Sequence, residues 1–280
     1  MEIFRHHGQS LAYLNKGSGS PVLFLHNAGT SHVIWQQQIE ELSTRHQVIA
    51  VDLPGYGQSP PLAGDFSIGA CIDLIAAFLE AMCDTRPVTL VGNCLGSAIA
   101  LAYAARYPAK VAALVLLNPL TPATFRQGNL GGLSALKARF PALANALAQR
   151  VSRFNPQFLP VTGAILMQSG KAGWKSRLWR QPGLRGCYDN PHTMTALTGL
   201  FLALPELAEF DDFVPDADFP PLYTLWGRQN RILSSRAGDI LNARLRPRQA
   251  LFMEDCGHLL MMERPQVVCD VVRAACAARD

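Results

Sequence analysis

Short apolar runs alternate with helical patterns over the first 118 residues. The spacing of apolar residues predicts a helix over 71–79, and Ala and Leu dominate a second helical stretch at 97–107. Four buried strands, each ended by polar residues, Gly or Pro, are predicted at 22–25, 48–51, 88–91 and 111–117. This alternation predicts an α/β fold, with a mostly parallel central sheet and helices on both faces.

The alternation stops in the middle of the chain and resumes near residue 222. Helical patches at 133–147 and 194–204 are separated from their surroundings by prolines. The remaining predicted elements are strands at 222–225 and 250–253 and a helix from about residue 264. A helical block inserted between two halves of a sheet predicts a lid over 121–214, on a core formed by 1–120 and 215–280.

The composition favours a globular protein, since 49% of the 280 residues are hydrophobic and 16% are charged. No window approaches 18 consecutive apolar residues, so we expect neither a membrane span nor a membrane partner. The seven cysteines are an odd number and form no CxxC pair. Reduced thiols and a cytoplasmic location are therefore expected.

Positive charge is concentrated in the predicted lid. Residues 121–190 contain ten Lys and Arg against a single acid, Asp189, which gives this segment +9 in a chain of net charge +4. Such a segment is either a solvated basic face or a surface for a polyanionic partner. No nucleic-acid-binding motif accompanies the charge, so nucleic acid is not expected.

The segment Gly92-Asn93-Cys94-Leu95-Gly96 places a nucleophile between a predicted strand and a predicted helix. Glycines two residues before and after Cys94 suit a sharp turn in which close packing forbids side chains. The segment resembles the nucleophile elbow, G-x-S-x-G, of the α/β-hydrolase superfamily, with Cys94 in place of serine. A turn that merely holds a core cysteine is the alternative reading.

Three further motifs occur in the order of that superfamily. Asp52-Leu53-Pro54-Gly55-Tyr56-Gly57-Gln58-Ser59 is similar to its D-x-P-G-x-G-x-S turn, and Cys256-Gly257-His258 places His258 where the family carries its catalytic histidine. His26-Asn27-Ala28-Gly29 is similar to its oxyanion loop, with Asn27 instead of glycine. The resemblance implies an oxyanion hole formed by the N–H groups of Leu95 and Ala28, with Asn27 as the alternative to Ala28.

The third member of the expected triad departs from the family. Where relatives carry an acid in W-G-x-x-D, this chain has Asn230, and at the alternative position after the sixth family strand it has Asn118. We predict that Asn230 orients His258. The acids before residue 222 could substitute for it, and these are Asp211, Asp212, Asp216 and Asp218.

A cysteine paired with an asparagine is chemically consistent. A thiol near a protonated histidine and a helix N-terminus is expected to have a lowered pKa, so Cys94 would need no carboxylate behind His258. Papain-like proteases use the same set of Cys, His and Asn. The acyl-enzyme would be a thioester, which exchanges with other thioesters at little cost in free energy.

These points predict an acyltransferase or thioesterase with a Cys94, His258 and Asn230 triad. The chain resembles cysteine-dependent acyl and aminoacyl transferases of nonribosomal peptide and polyketide biosynthesis. The donor would be a phosphopantetheine thioester on an acidic carrier protein that docks on the basic lid, 121–190. The alternatives are a small-molecule ester or lactone hydrolase and a non-catalytic binding protein. No cofactor is predicted, and no His, Cys or HExxH spacing predicts a metal site.

Overall fold

The computed structural model describes residues 1–83, 86–154 and 160–278. Within these residues one eight-stranded sheet has the order β1-β2-β4-β3-β5-β6-β7-β8. Its strands are β1 (Glu2–His6), β2 (Gln9–Lys16), β3 (Pro21–Leu25), β4 (Gln47–Asp52), β5 (Val88–Asn93), β6 (Val111–Leu117), β7 (Leu222–Gly227) and β8 (Gln249–Met253). Strands β3 to β8 run parallel, whereas β2 is antiparallel to both β1 and β4.

The described helices follow in chain order. Before β7 they are α1 (Gln36–Leu42), α2 (Ile68–Cys83), α3 (Leu95–Arg106), α4 (Pro122–Arg126), α5 (Gly132–Arg139), α6 (Pro141–Ser152), α7 (Val161–Gln168), α8 (Lys171–Lys175), α9 (Pro182–Gly186) and α10 (Thr193–Ala203). After β7 they are α11 (Ser235–Leu245), α12 (Leu260–Glu263) and α13 (Pro265–Ala277). Short 3₁₀ helices lie at His32–Trp35, Pro108–Lys110, Leu178–Arg180, Cys187–Asp189 and Leu204–Asp211.

Alternate residues of the central strands belong to different hydrophobic cores. In β3, Leu23 and Leu25 pack with α2, α3 and α11, whereas Val22 and Phe24 pack with α1 and α13. Because successive side chains of a strand point to opposite faces, these helices cover both faces of the sheet. The predicted mostly parallel α/β-hydrolase architecture is confirmed.

The sequence pattern did not reveal the first two strands. They form a hairpin whose two-residue turn, His7 and Gly8, has positive φ angles of 45° and 77°. Positive φ at both central residues is the turn geometry that suits a two-residue hairpin. The strand β1 lies at the sheet edge and is largely exposed, so it has no continuous apolar run to detect.

The helices α4 to α10 lie between β6 and β7, in the segment predicted as a lid. The helical patch expected at 133–147 consists of two helices, because α5 ends at Arg139 and α6 begins at Pro141. The residue between them, Phe140, has φ −138° and ψ 69°, outside the helical region. Proline disfavours helical geometry in the residue before it, which explains the break. None of the described helices is long and apolar enough to cross a membrane.

Candidate active site

The nucleophile turn has the geometry that its glycines predict. Cys94 lies between β5 and α3 with φ 52° and ψ −110°, a sparsely populated conformation for a residue with a side chain. A Cβ atom on Gly96 would lie 2.0 Å from the Leu25 carbonyl oxygen, and one on Gly92 would lie 2.4 Å from the Gly96 backbone. The expectation that close packing forbids side chains at both glycines is confirmed.

The Cys94 thiol is buried among apolar groups. Burial raises the pKa of Cys94 to about 12, while the backbone N–H groups of Leu95 and Ala28 act in the opposite direction. The expectation of a lowered pKa is therefore wrong for the substrate-free site: the resting residue is a neutral thiol. The two N–H groups are those predicted to form the oxyanion hole, and they reach the nucleophile itself.

The alternative oxyanion residue, Asn27, does not line the cavity described below. Its side-chain oxygen accepts hydrogen bonds from Thr30 at 3.0 Å and from Asn93 at 3.2 Å. Its side-chain nitrogen donates to the Ala28 carbonyl at 3.0 Å and to the Gln168 side chain at 3.3 Å. Asn27 thus supports the loop that presents Ala28, and the geometry favours Ala28 as the donor.

The structure brings Asn230 to His258. The amide oxygen of Asn230 lies 3.2 Å from Nδ1 of His258, and it also accepts the N–H groups of Ile232 and Leu233 at 2.9 and 3.1 Å. An amide oxygen can only accept, so Nδ1 carries the proton and Nε2 is left as the basic nitrogen. Burial lowers the pKa of His258 to about 3, which keeps the imidazole neutral.

The other candidates for orienting His258 are engaged elsewhere. Asp211 accepts a hydrogen bond from the Ala123 N–H at 2.9 Å, and Asp212 forms an ion pair with Arg244 at 2.8 Å. Among the described contacts none joins these acids, Asp216 or Asp218 to the imidazole. Asn118 contacts the His258 backbone rather than its ring.

An amide network, defined as the side chains of Asn27, Asn93, Asn118 and Gln168, connects the loops of the site. Asn93 and Asn118 donate to the His258 carbonyl at 3.1 and 3.3 Å, and Asn118 also donates to the Asn93 oxygen at 3.3 Å. All four side chains are buried. The network therefore fixes the positions of the nucleophile turn, the oxyanion loop and the histidine loop relative to one another.

The lid is tied to the histidine loop at two points. The His258 N–H donates to the Gln168 carbonyl at 2.6 Å. The buried carboxylate of Glu263 accepts the N–H groups of Gly170 and Gly257, both at 2.5 Å. Burial raises the pKa of Glu263, and these N–H groups oppose the rise. No sequence pattern pointed to Gln168 or Glu263, because partners of each, Asn27 and Gly170 among them, lie far away in the sequence.

Cys94 and His258 lie at one side of a cavity of about 490 Å³ beneath the lid. Its wall is almost entirely apolar, and Leu, Phe, Ala, Met and Val side chains from α5, α6, α7 and α10 form about half of it. Its polar lining includes Gln168, Tyr188 and Thr198, and none of the described residues that line it is acidic. Such a space accepts a hydrocarbon chain and offers no counter-ion for an ammonium group.

A second, smaller cleft of about 390 Å³ lies next to Asn230. Lys171, Arg228 and Arg231 line it together with Trp174. Arg228 is paired with Asp239 at 2.9 Å, and Arg231 lies 5.4 Å from the centre of the Trp174 ring.

Nowhere in residues 1–83, 86–154 and 160–278 do three or more His, Cys, Asp or Glu side chains form a group that could hold a metal ion.

The comparison with known families decides the membership of the chain. A family model described as the alpha/beta hydrolase fold matches residues 20–265. The chain belongs to the α/β-hydrolase family. The match covers the nucleophile turn, the oxyanion loop and His258.

Individual α/β-hydrolases resemble the chain over most of its length. Monoacylglycerol lipase abhd6-B of Xenopus laevis is 25% identical over 257 residues, which are 89% of this chain and 73% of the lipase. The 2-hydroxy-6-oxo-2,4-heptadienoate hydrolase of Pseudomonas putida is 26% identical over 273 residues, 94% of this chain and 91% of that enzyme. A thermophilic esterase from Thermogutta terrifontis superimposes with a TM-score of 0.79 at 23% identity, over 99% of this chain and 97% of the esterase.

These similarities support an enzyme of the hydrolase type. Lipase and hydrolase activities are those named for the relatives, whereas carrier-dependent acyl transfer is not among them. The similarity to the esterase, at 23% identity, shows the common fold. Two roles remain predictions from the residues and their geometry: that of Cys94 as the nucleophile and that of Asn230 as a member of the triad.

Proposed function

We propose that this α/β-hydrolase hydrolyses carboxylic esters with a hydrophobic acyl chain, through a thioester on Cys94. The observation that carries the proposal is the 490 Å³ apolar cavity that opens directly onto Cys94 and His258. Burial of each methylene of an acyl chain there contributes about 0.8 kcal/mol to binding. This is the alternative of an ester hydrolase, which the relatives support better than carrier-dependent transfer.

In the proposed mechanism His258 acts as the general base. As Cys94 Sγ attacks the ester carbonyl carbon, Nε2 takes the thiol proton, and the carbonyl oxygen becomes an oxyanion that accepts the N–H groups of Leu95 and Ala28. The C–O bond to the alcohol then breaks, and the imidazolium gives its proton to the leaving oxygen. A thioester on Cys94 and a free alcohol result.

In the second half of the reaction, water hydrolyses the thioester, and His258 again acts first as a base and then as an acid. Nε2 takes a proton from water as its oxygen attacks the thioester carbonyl, and the same N–H groups stabilise the second oxyanion. The C–S bond breaks, the acid leaves, and the proton returns to Sγ. An asparagine suffices behind His258 because a thiol is far more acidic than a serine hydroxyl. Asn230 thus holds the Nδ1–H tautomer without supplying charge.

A second candidate function is acyl transfer from a phosphopantetheine thioester on a carrier protein, as either a transferase or a thioesterase. The cationic cleft beside Asn230, lined by Lys171, Arg228 and Arg231, supports it, because such a cleft suits a phosphate group. The apolar wall of the main cavity favours acyl over aminoacyl groups, since no carboxylate there could pair with an α-ammonium group. Docking of an acidic carrier would use the neighbouring Lys171, Lys175 and Arg177.

The test is hydrolysis of 4-nitrophenyl esters of increasing chain length, combined with intact-protein mass spectrometry after acid quench. We expect an acyl adduct on the wild type, and a loss of activity on the order of 10³-fold or more in Cys94→Ala. Cys276→Ala, at a half-buried cysteine of α13, is the matched control and should retain activity. Equal turnover by Cys94→Ala would refute the nucleophile.

The same assay separates the two candidates when thioesters on a holo carrier protein and on coenzyme A are included. Hydrolysis of free esters without a carrier supports the first. An adduct that forms only from the carrier and moves to a second holo carrier supports the second. If neither substrate class yields an adduct or a product, the non-catalytic alternative replaces both.

A further inference from the structure

Five of the ten large apolar side chains that the described part of the lid exposes lie on two consecutive helices or at their junction. We define the lid rim as Leu133 of α5, Phe140 at the junction, and Leu143, Leu147 and Val151 of α6. They are between 43% and 53% exposed. Leu143, Leu147 and Val151 are spaced by four residues, so they form one stripe along α6. Contiguous apolar surface of this kind marks an interaction site in globular proteins.

The lid rim is continuous with the cavity above Cys94. Leu133, Leu147 and Val151 line the cavity although their side chains are also exposed, whereas Phe140 and Leu143 are exposed and do not line it. Exposed residues that also line the interior lie at an opening. Whatever covers the lid rim therefore lies over the entrance to the substrate cavity.

The surroundings of the lid rim are positively charged. Arg139, Arg150 and Arg153 are exposed on or directly after α5 and α6, and the Arg139 guanidinium lies 5.8 Å from the centre of the Phe140 ring. No Asp or Glu occurs in the sequence between Asp84 and Asp189. Among the described residues these arginines form no ion pair, so their charge is available to a partner.

We propose that the lid rim docks on an anionic lipid bilayer and that hydrophobic esters enter the cavity from that bilayer. Apolar side chains flanked by Arg are the combination that inserts into the boundary between headgroups and acyl chains. An acidic carrier protein would complement the arginines but leave five apolar side chains in water. A second copy would bring two positively charged rims together.

This proposal revises the sequence-based expectation of no membrane partner, which rested on the lack of a spanning segment. Peripheral docking needs no span, only one apolar helix face and nearby positive charge. Delivery of an ester to Cys94 rests on the proposed function, whereas docking of the lid rim does not.

The test is co-sedimentation with vesicles of phosphatidylglycerol and phosphatidylcholine, compared with phosphatidylcholine alone. We expect binding to the anionic vesicles that weakens with salt. Phe140→Glu and Leu143→Glu should each weaken it at least on the order of tenfold, and Arg150→Gln and Arg153→Gln roughly fivefold each. Hydrolysis of a short ester should be unchanged in Phe140→Glu and Leu143→Glu, since neither residue lines the cavity.

Ile240→Glu is the matched control, because Ile240 is 54% exposed on α11, outside the lid. The proposal is overturned if the wild type does not bind anionic vesicles, or if Ile240→Glu weakens binding as much as Leu143→Glu. A concentration-dependent dimer or carrier complex that Leu143→Glu disrupts, without vesicle binding, would also overturn it. Cys94→Ala should retain vesicle binding, so failure of hydrolysis alone refutes the proposed function and leaves docking intact.

Discussion

The amide network and the lid rim both adjoin the cavity and are built in opposite ways. In the network, buried Asn and Gln side chains hydrogen-bond to one another and to the His258 backbone. In the lid rim, apolar side chains are exposed between arginines. The comparison indicates that the network fixes the relative positions of the loops that carry Cys94 and His258, whereas the lid rim leaves apolar surface exposed at the cavity entrance.

The largest effect expected beyond the nucleophile itself comes from breaking the network. Asn93→Ala removes one of the two side-chain donors to the His258 carbonyl and a donor to the Asn27 side-chain oxygen, so buried polar groups lose partners. We expect the free energy of unfolding to fall by about 2–3 kcal/mol. We also expect kcat to fall at least roughly tenfold, because small misplacements of catalytic groups are costly. Chemical denaturation and steady-state kinetics measure both.

The matched control for this change is Asn145→Ala, at an exposed asparagine of α6. It should alter neither quantity by a measurable amount. Equal effects of the two substitutions on the free energy of unfolding and on kcat would mean that the buried amide network matters no more than an exposed asparagine of the lid.

An intermediate effect is expected from filling the cavity on its lid side. Ala148 of α6 is 7% exposed and lines the cavity. Ala148→Phe should lower kcat/KM for long-chain esters on the order of tenfold or more, while acetyl and butyryl esters are little affected. Ala146→Phe, at an exposed residue of the same helix that does not line the cavity, should keep the wild-type chain-length profile. An unchanged profile in both variants would show that acyl chains bind elsewhere.

The pH dependence of stability tests the burial of His258 beside the network. Burial lowers the pKa of His258 from 6.5 to about 3 and that of His26 to about 4, so the unfolded chain binds protons that the native protein does not. The stability due to neutral His258 is therefore complete above pH 6.5 and decreases as pH falls toward 3, by up to about 1.4 kcal/mol per pH unit.

This contribution is measured by denaturant unfolding of wild type and His258→Gln between pH 7 and 4. The variant should lose less stability on acidification, and His192→Gln, at an exposed histidine of the lid, should follow the wild type. Parallel curves for wild type and His258→Gln would mean that the histidine is readily protonated in the native site.

The elements that could be predicted from the sequence are those whose cause is local. The buried strands β3 to β6 are largely apolar runs, and Gly92 is required by contact with Gly96 and Ser97 in the same turn. The hairpin of β1 and β2 was missed because an exposed edge strand carries no such run. The helical patch at 133–147 is interrupted at Pro141, one of the prolines that mark breaks in the sequence of the lid.

Some residues of the candidate site could likewise be predicted from the sequence, whereas others could not. Cys94, His258 and Asn230 stand out by their place after strands, and Asn230 does lie within hydrogen-bonding distance of the imidazole. The expected low pKa of Cys94 was wrong because the extent of burial depends on the lid packed above it. Gln168 and Glu263 carry no signal, since each has a partner far away in the sequence, Asn27 for Gln168 and Gly170 for Glu263.

The sequence by itself determined the fold and the reactive groups, because apolar periodicity and short motifs encode interactions between near neighbours. Only the tertiary structure decided three further matters: the neutral state of the resting thiol, the amide network and the apolar cavity with its exposed entrance. Each of these depends on which distant segments exclude water from one another, and desolvation is a property of the assembled structure.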